Sequence, residues 1–217
     1  MMEAYFYTNL LENIVELSGR SSPWVGSIRW SENFWIDINA VDQMLSDKSL
    51  LEAGIEVISL FNPLGAEESL HVQAEHMHPG LMSLLEYALH SVGEQKEDIN
   101  KLKYSYPNFK GLFGYGFVAR PVIMHGFVQW LSRVIVFLTT DIAAQEMVWK
   151  DSRFEGPAKV IQELYGSPFY PLHQFFGERL VSYYFNARGY KIITLNEYNV
   201  KKRPADEKID EASPKLE

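Results

Sequence analysis

An acid–base pair, Glu178-Arg179, lies inside the stretch Phe169–Gly189, F-Y-P-L-H-Q-F-F-G-E-R-L-V-S-Y-Y-F-N-A-R-G. The spacing predicts a helix there. Phe175, Leu180, Val181, Tyr184 and Phe185 recur close to one face of a 3.6-residue period. Gly189 is the stop signal, and a short strand, Tyr190–Leu195, follows. Two readings are open for a carboxylate early on so apolar a helix. It is a charge that suits the positive end of the helix dipole, or a working group at the rim of a cleft.

Other side chains have chemical potential. Arg29 and Arg120 lie in β-like segments that are otherwise apolar, and a guanidinium there either reaches solvent at a strand edge or meets an anion. His71, Glu75 and His78 have helical spacing that lets all three share a face. The pattern is not H-E-x-x-H and Pro79 follows it directly, so a helix-end histidine that touches a ligand phosphate or sugar, or an exposed or satisfied histidine, is expected ahead of a metal site. His125 falls at an expected strand-to-helix junction, and His173 precedes the Glu178 helix by about one turn. Either could move a proton, or be structural. Trp30, Trp35, Tyr115 and Tyr170 are flat platforms for a sugar or a base, or simply core.

The chain that positions these residues has 217 residues, enough for one large domain with a substantial core. Its aromatic share of 14% is a pointer, though a weak one, to a ligand cleft. The net charge of −8 argues against capture of nucleic acid. With no cysteine, disulfides, thiolate nucleophiles and zinc–thiolate sites are excluded. The cysteine count fits a cytoplasmic protein. Met1–Gly19 is amphipathic and carries three glutamates, unlike a signal peptide. The apolar stretch Phe117–Ala144 is interrupted by Arg120, His125 and Arg133, and reads as a buried strand and helix rather than a membrane span.

Taken in order, helices are expected at Glu3–Leu17, Asn39–Leu51 (Asn39 its cap, Gly54 its stop), Glu67–Val92 with a break at Pro79-Gly80, Phe127–Met147 and Ala158–Tyr165. Strands are expected at Trp24–Trp30, Ile55–Phe61 and within Gly111–Met124. Ser31–Ile36 and Gly93–Pro107 read as loops, and Asn62-Pro63-Leu64-Gly65 as a turn. Of the seventeen residues Lys201–Glu217, ten are charged and two are proline. The expected layout is a single α/β domain over 1–199 and a charged tail over 200–217. Alternating strands and helices predict a mixed, mostly parallel small sheet flanked by helices.

The order of motifs resembles the bacterial capsule and lipopolysaccharide glycosyltransferases of the GT-A-like class. Tyr5–Leu17 leads into Trp24-Val25-Gly26-Ser27-Ile28-Arg29-Trp30-Ser31. Then come a strand ending in a proline turn, Ile55–Pro63, a helix with histidines, Ser69–His78, and a strand leading into a helix with a tryptophan, Gly116–Trp130. The closing motif G-F-x-x-E-R-L of that group is met by Phe175-Phe176-Gly177-Glu178-Arg179-Leu180, with Gln174 in place of its glycine. The resemblance implies transfer of a sugar from a nucleotide sugar to a glycan acceptor. It implies a catalytic role for Glu178, as base, and Arg179. Substrate binding would fall to Arg29, Trp30, Arg120, His125 and His173, with Arg29 and Arg120 on the donor diphosphate. The family's first nucleotide-binding strand–helix unit is not in evidence. Nor is its Asp-x-Asp motif, to which Asp37-Ile38-Asn39 comes nearest, so a manganese or magnesium ion has no obvious holder. Peripheral association with a membrane fits such a role. A non-catalytic binding or assembly protein that keeps this fold is the alternative.

Overall fold

Three apolar triplets, Val57-Ile58-Ser59, Phe117-Val118-Ala119 and Ile192-Ile193-Thr194, are buried on both faces. That demands helices above and below the sheet they build. The computed structural model of the chain describes residues 22–27, 38–60, 69–104, 108–112, 116–149 and 173–202. The elements are β1 (Val25–Ser27), α1 (Ile38–Ser46), α2 (Lys48–Glu52), β2 (Val57–Ser59), α3 (Leu70–Met77), α4 (Leu81–Ser91), α5 (Lys96–Asn100), β3 (Phe117–Ala119), α6 (Pro121–Thr140), α7 (Ile142–Trp149), α8 (His173–Ala187), β4 (Ile192–Thr194) and α9 (Leu195–Lys202). A 3₁₀ turn, Lys101–Lys103, extends α5. The expected helices Glu3–Leu17 and Ala158–Tyr165, the loop Ser31–Ile36, the turn at Asn62, the second half of the strand Trp24–Trp30, and residues 203–217 lie outside the described residues.

The four strands run in the order β1-β3-β2-β4. β3 pairs antiparallel with both β1 and β2, and only β2 with β4 is parallel. The class is α/β with a small mixed sheet, but the expectation of a mostly parallel one is corrected. Helices between strands require long connections without fixing the end of the sheet at which the chain re-enters. Here β3 re-enters from the opposite end.

Alternation along the strands splits the interior in two. Val25, Val57, Phe117, Ala119 and Ile192 face a large core shared with α3, α4, α6 and α8. Ile58, Val118 and Ile193 face a smaller one with Trp24, Met44, Leu50 and Tyr198, from the α1, α2 and α9 side. In the larger core Phe117, Phe127, Trp130, Tyr184 and Phe185 interlock edge-on and tilted, with ring centroids 5.0–6.2 Å apart. Much of the aromatic excess is therefore core filling.

Several boundaries follow local chemistry. Gly80, at φ 89°, turns α3 into α4 where Pro79-Gly80 was expected to break the helix. Gly189, at φ 69°, ends α8 as expected. The expected helix Asn39–Leu51 is two helices, because the Asp47 side chain accepts from Ser49 N and caps α2. Asn39 lies inside α1 rather than before it. The single helix expected over Phe127–Met147 begins earlier, at Pro121, and breaks at Asp141, whose carboxylate accepts from Ala144 N at 2.8 Å. Within the expected loop Gly93–Pro107, α5 forms instead, anchored by buried Ile99 and Leu102. Lys101 Nζ donates to the Ala187 carbonyl at 2.8 Å, placing a cation at the C-terminus of α8.

Helix α6 has 20 residues and a mean hydropathy of 1.5, which by length and composition alone suffices to cross a bilayer. Its buried stripe, including Ile123, Phe127, Trp130, Leu131 and Val134, belongs to the larger core, and Val122 and Val136 face outward.

β1 and β3 approach closely at Gly26, opposite Val118. A methyl group on Gly26 would collide with the Phe117 carbonyl oxygen and the Val118 side chain. Gly26→Ala is therefore expected to destabilise the protein by about 1–3 kcal/mol, the usual cost of overpacking. Urea denaturation checks this, and an unchanged midpoint would show that the two strands can part without cost.

Candidate functional site

Arg179 is 2% exposed, the most buried charged residue among those described. A guanidinium removed from water needs partners on its fork of donors. Its Nη1 donates to Glu178 Oε2 at 2.8 Å and its Nη2 donates to Gln73 Oε1, on α3, at 2.7 Å. Burial lowers the Arg179 pKa below its ordinary value, and the Glu178 carboxylate, by charge and hydrogen bond, works against that. Arginine remains protonated under such a shift. The Glu178 side chain keeps 16% of its surface open to solvent.

Helix α8 begins at His173, so Glu178 lies in its second turn. The dipole effect fades beyond the first turn, and that reading of Glu178 is corrected. The pairing is not a product of the helix either. Adjacent residues point about 100° apart, so Arg179 must bend its long side chain to reach its neighbour.

His78, at the C-terminal cap of α3, is the imidazole of this cluster. It is 9% exposed, and its pKa is pushed down to about 4, first by burial and then by the Arg179 charge. It is neutral at pH 7. Glu75 stands apart from it chemically, since its two oxygens accept from Gly80 N at 3.1 Å and Met82 N at 2.8 Å. The carboxylate thus caps α4. Among the described residues no group of three His, Asp or Glu side chains could hold a metal ion.

The remaining expected site residues separate. Arg120 caps α6, donates from Nε to the Ile55 carbonyl at 3.2 Å and lies over the Trp24 ring at 4.7 Å. No carboxylate pairs with it among the described residues. These contacts differ from those of Arg179. His125 sits in the second turn of α6 rather than at its junction with β3, 3.4 Å from the Gln129 side chain. His173 is the first residue of α8 itself rather than one turn ahead of it. Arg29, Trp30, Trp35, Tyr115 and Tyr170 lie outside the described residues. Gln73 was not anticipated. It is 106 positions before Arg179, and nothing local marks it.

A second carboxylate-centred group ties the other end of α8. Glu94 accepts from Trp130 Nε1 at 2.7 Å, from Arg188 Nη2 at 2.8 Å and from the Tyr183 hydroxyl at 2.8 Å. Arg188 also lies over the Tyr184 ring at 4.0 Å. Burial, then the Glu94 carboxylate, raises the Tyr183 pKa, so its hydroxyl stays a donor. One carboxylate thus gathers donors from three residues, which makes the group a structural knot.

Compared with protein-family models, with curated proteins and with solved structures, the chain matches none. The fold and site therefore define a class only: a small mixed-sheet α/β protein with a buried arginine that joins its neighbouring glutamate to a glutamine on a second helix.

His78 sets an acid limit on this arrangement. Its folded pKa of about 4 lies below the ordinary 6.5. Between those values the unfolded chain binds a proton that the folded protein does not. The contribution of neutral His78 is complete above about pH 6.5 and is lost progressively as the pH falls towards 4, by about 3 kcal/mol in total. Denaturation midpoints measured from pH 7 to pH 4 should fall accordingly. In His78→Gln that part of the fall should vanish. An identical pH profile in the variant would place the acid sensitivity elsewhere.

Proposed function

We propose that the chain is a glycosyltransferase-like domain that moves a sugar from a nucleotide-sugar donor to a glycan acceptor, as polysaccharide biosynthesis requires. A GT-A-like reading of the fold belongs to this proposal. The observation that carries it is a part-exposed carboxylate, Glu178, held by a buried guanidinium inside the motif that resembles the closing motif of those enzymes. A cation buried at a cost of several kcal/mol before compensation has to be offset, and here Glu178 and Gln73 supply the offset.

In this reading Glu178 takes the proton from the acceptor hydroxyl. The acceptor oxygen bonds to the anomeric carbon, and the bond from that carbon to the donor diphosphate breaks with its electron pair on the diphosphate. Arg179 holds Glu178 and does not meet substrate. Arg120, stacked on Trp24 and without a carboxylate partner among the described residues, takes the leaving diphosphate together with Arg29. Trp30, His125 and His173 belong to the sugar-binding side of the proposal. A cytoplasmic location, at the face of a membrane where nucleotide sugars are used, accompanies it.

One observation favours a second reading, a non-catalytic binding or assembly protein. Arg179 is nearly inaccessible and Arg120 has internal partners, so packing accounts for both.

Thermal shift with uridine, guanosine and cytidine diphosphates and their sugar conjugates, with and without manganese, tests the first reading. A ligand at 100 times its Kd adds about 2.7 kcal/mol and should raise the midpoint by several degrees. Silence across the whole panel would sink it. Where turnover is found, Glu178→Gln should reduce it by about 100-fold or more with the fold intact. Full biological activity in that variant would establish the second reading.

A further inference from the structure

We infer that Gln73 helps to orient Glu178, acting through the guanidinium of Arg179; its role in turnover rests on the transferase reading above, but its role in orientation does not. Glu178 and Arg179 are neighbours on one helix, and helical geometry turns their side chains apart. What fixes their meeting must come from elsewhere. The guanidinium is planar and rigid, so holding one of its nitrogens sets the direction of the others. Gln73 Oε1 accepts from Nη2 at 2.7 Å while Nη1 donates to Glu178 Oε2 at 2.8 Å. Gln73 belongs to α3 and Arg179 to α8, so the pairing across 106 residues reports how these helices are docked.

The amide suits this task better than a carboxylate. As a neutral acceptor it aims the guanidinium without adding a second negative charge that would compete with Glu178. A glutamate at position 73 would compete with Glu178 for the same cation. An aliphatic side chain would remove this hold on Nη2 and let the fork turn relative to Glu178.

The test is the carboxyl ¹³C resonance of Glu178, assigned by its loss in Glu178→Gln. In Gln73→Leu, and in Gln73→Met, which matches glutamine in length but lacks the acceptor, this resonance should shift at pH 7. Leu89→Ala, a deletion elsewhere in the larger core, should leave it in place although it destabilises the fold. An unmoved Glu178 resonance in a folded Gln73 variant overturns the inference. So does an equal displacement in Leu89→Ala, which would make the effect one of general stability. If the wild-type protein transfers sugar, Gln73→Met should lower kcat by about tenfold or more with KM within about twofold, because the misplaced group acts in the chemical step. If the wild-type protein shows no turnover with any sugar nucleotide, the transferase reading fails, and the resonance still decides whether Gln73 orients Glu178.

Discussion

The structure depends on burying α8 on nearly every side. From Phe176 to Ala187 only Glu178 and Asn186 keep appreciable exposure. A helix buried all round normally lacks polar side chains, yet this one carries Arg179, Ser182, Tyr183 and Asn186. Each must be satisfied inside the protein. Arg179 turns to Gln73 of α3, and the Ser182 hydroxyl accepts from Leu112 N at 2.8 Å. Tyr183 donates to Glu94, between α4 and α5. Asn186 clamps the backbone of Lys110, accepting from its N–H and donating to its carbonyl, both at 2.8 Å. The polar groups of one helix thereby dictate where three neighbouring segments sit, and apolar packing, which has no direction, fills the space between them.

The same logic joins the larger core to the smaller one. Lys110, fixed by Asn186, donates from Nζ to the Ile192 carbonyl at 2.7 Å and pairs with Glu197 at 2.8 Å. Glu197 accepts in turn from Thr194 N, and Thr194 Oγ1 accepts from Glu197 N, a reciprocal capping box that starts α9 directly from β4. Tyr198 then donates to Asp47, the cap of α2. The continuation of α9 to Lys202 is tied into the domain by these contacts, while the charged residues that follow it lie outside the described part.

Elements that were legible in the sequence are those with local causes. Gly54, Gly80 and Gly189 mark chain turns through their positive φ, and Pro79 marks a helix boundary. The apolar triplets of β2 and β4 were recognisable as buried strands. What escaped had causes that were too short or too distant. Helix α5 is one turn and a little more, too brief for a periodic signal, and is held by Ile99 and Leu102 against elements it cannot recognise locally. The break at Asp141 rests on a single carboxylate that acts as a cap, accepting from Ala144 N. The sense of β3 depends on the end at which the chain returns to the sheet. In the site, Glu178-Arg179 could be singled out because charge is rare in so apolar a stretch. Gln73 could not, because an amide on a polar helix face is unremarkable until its partner is seen. His78 entered as a metal ligand, a helix-end contact to a ligand, or a satisfied histidine, and the guanidinium beside it makes a cation the least suitable ligand there.

By itself the sequence determined the α/β class, the buried strands, the helix stops and the pair Glu178-Arg179, because composition, periodicity and backbone preference act over a few residues. Tertiary structure alone decided that the pair is not a dipole-stabilised charge but a buried fork shared with α3, that the aromatics line a core, and that β3 runs against β1 and β2. The physical reason is the range of the forces involved. Turn and helix propensities are spent within about four residues, whereas the partner that satisfies a buried charge is chosen by the whole fold.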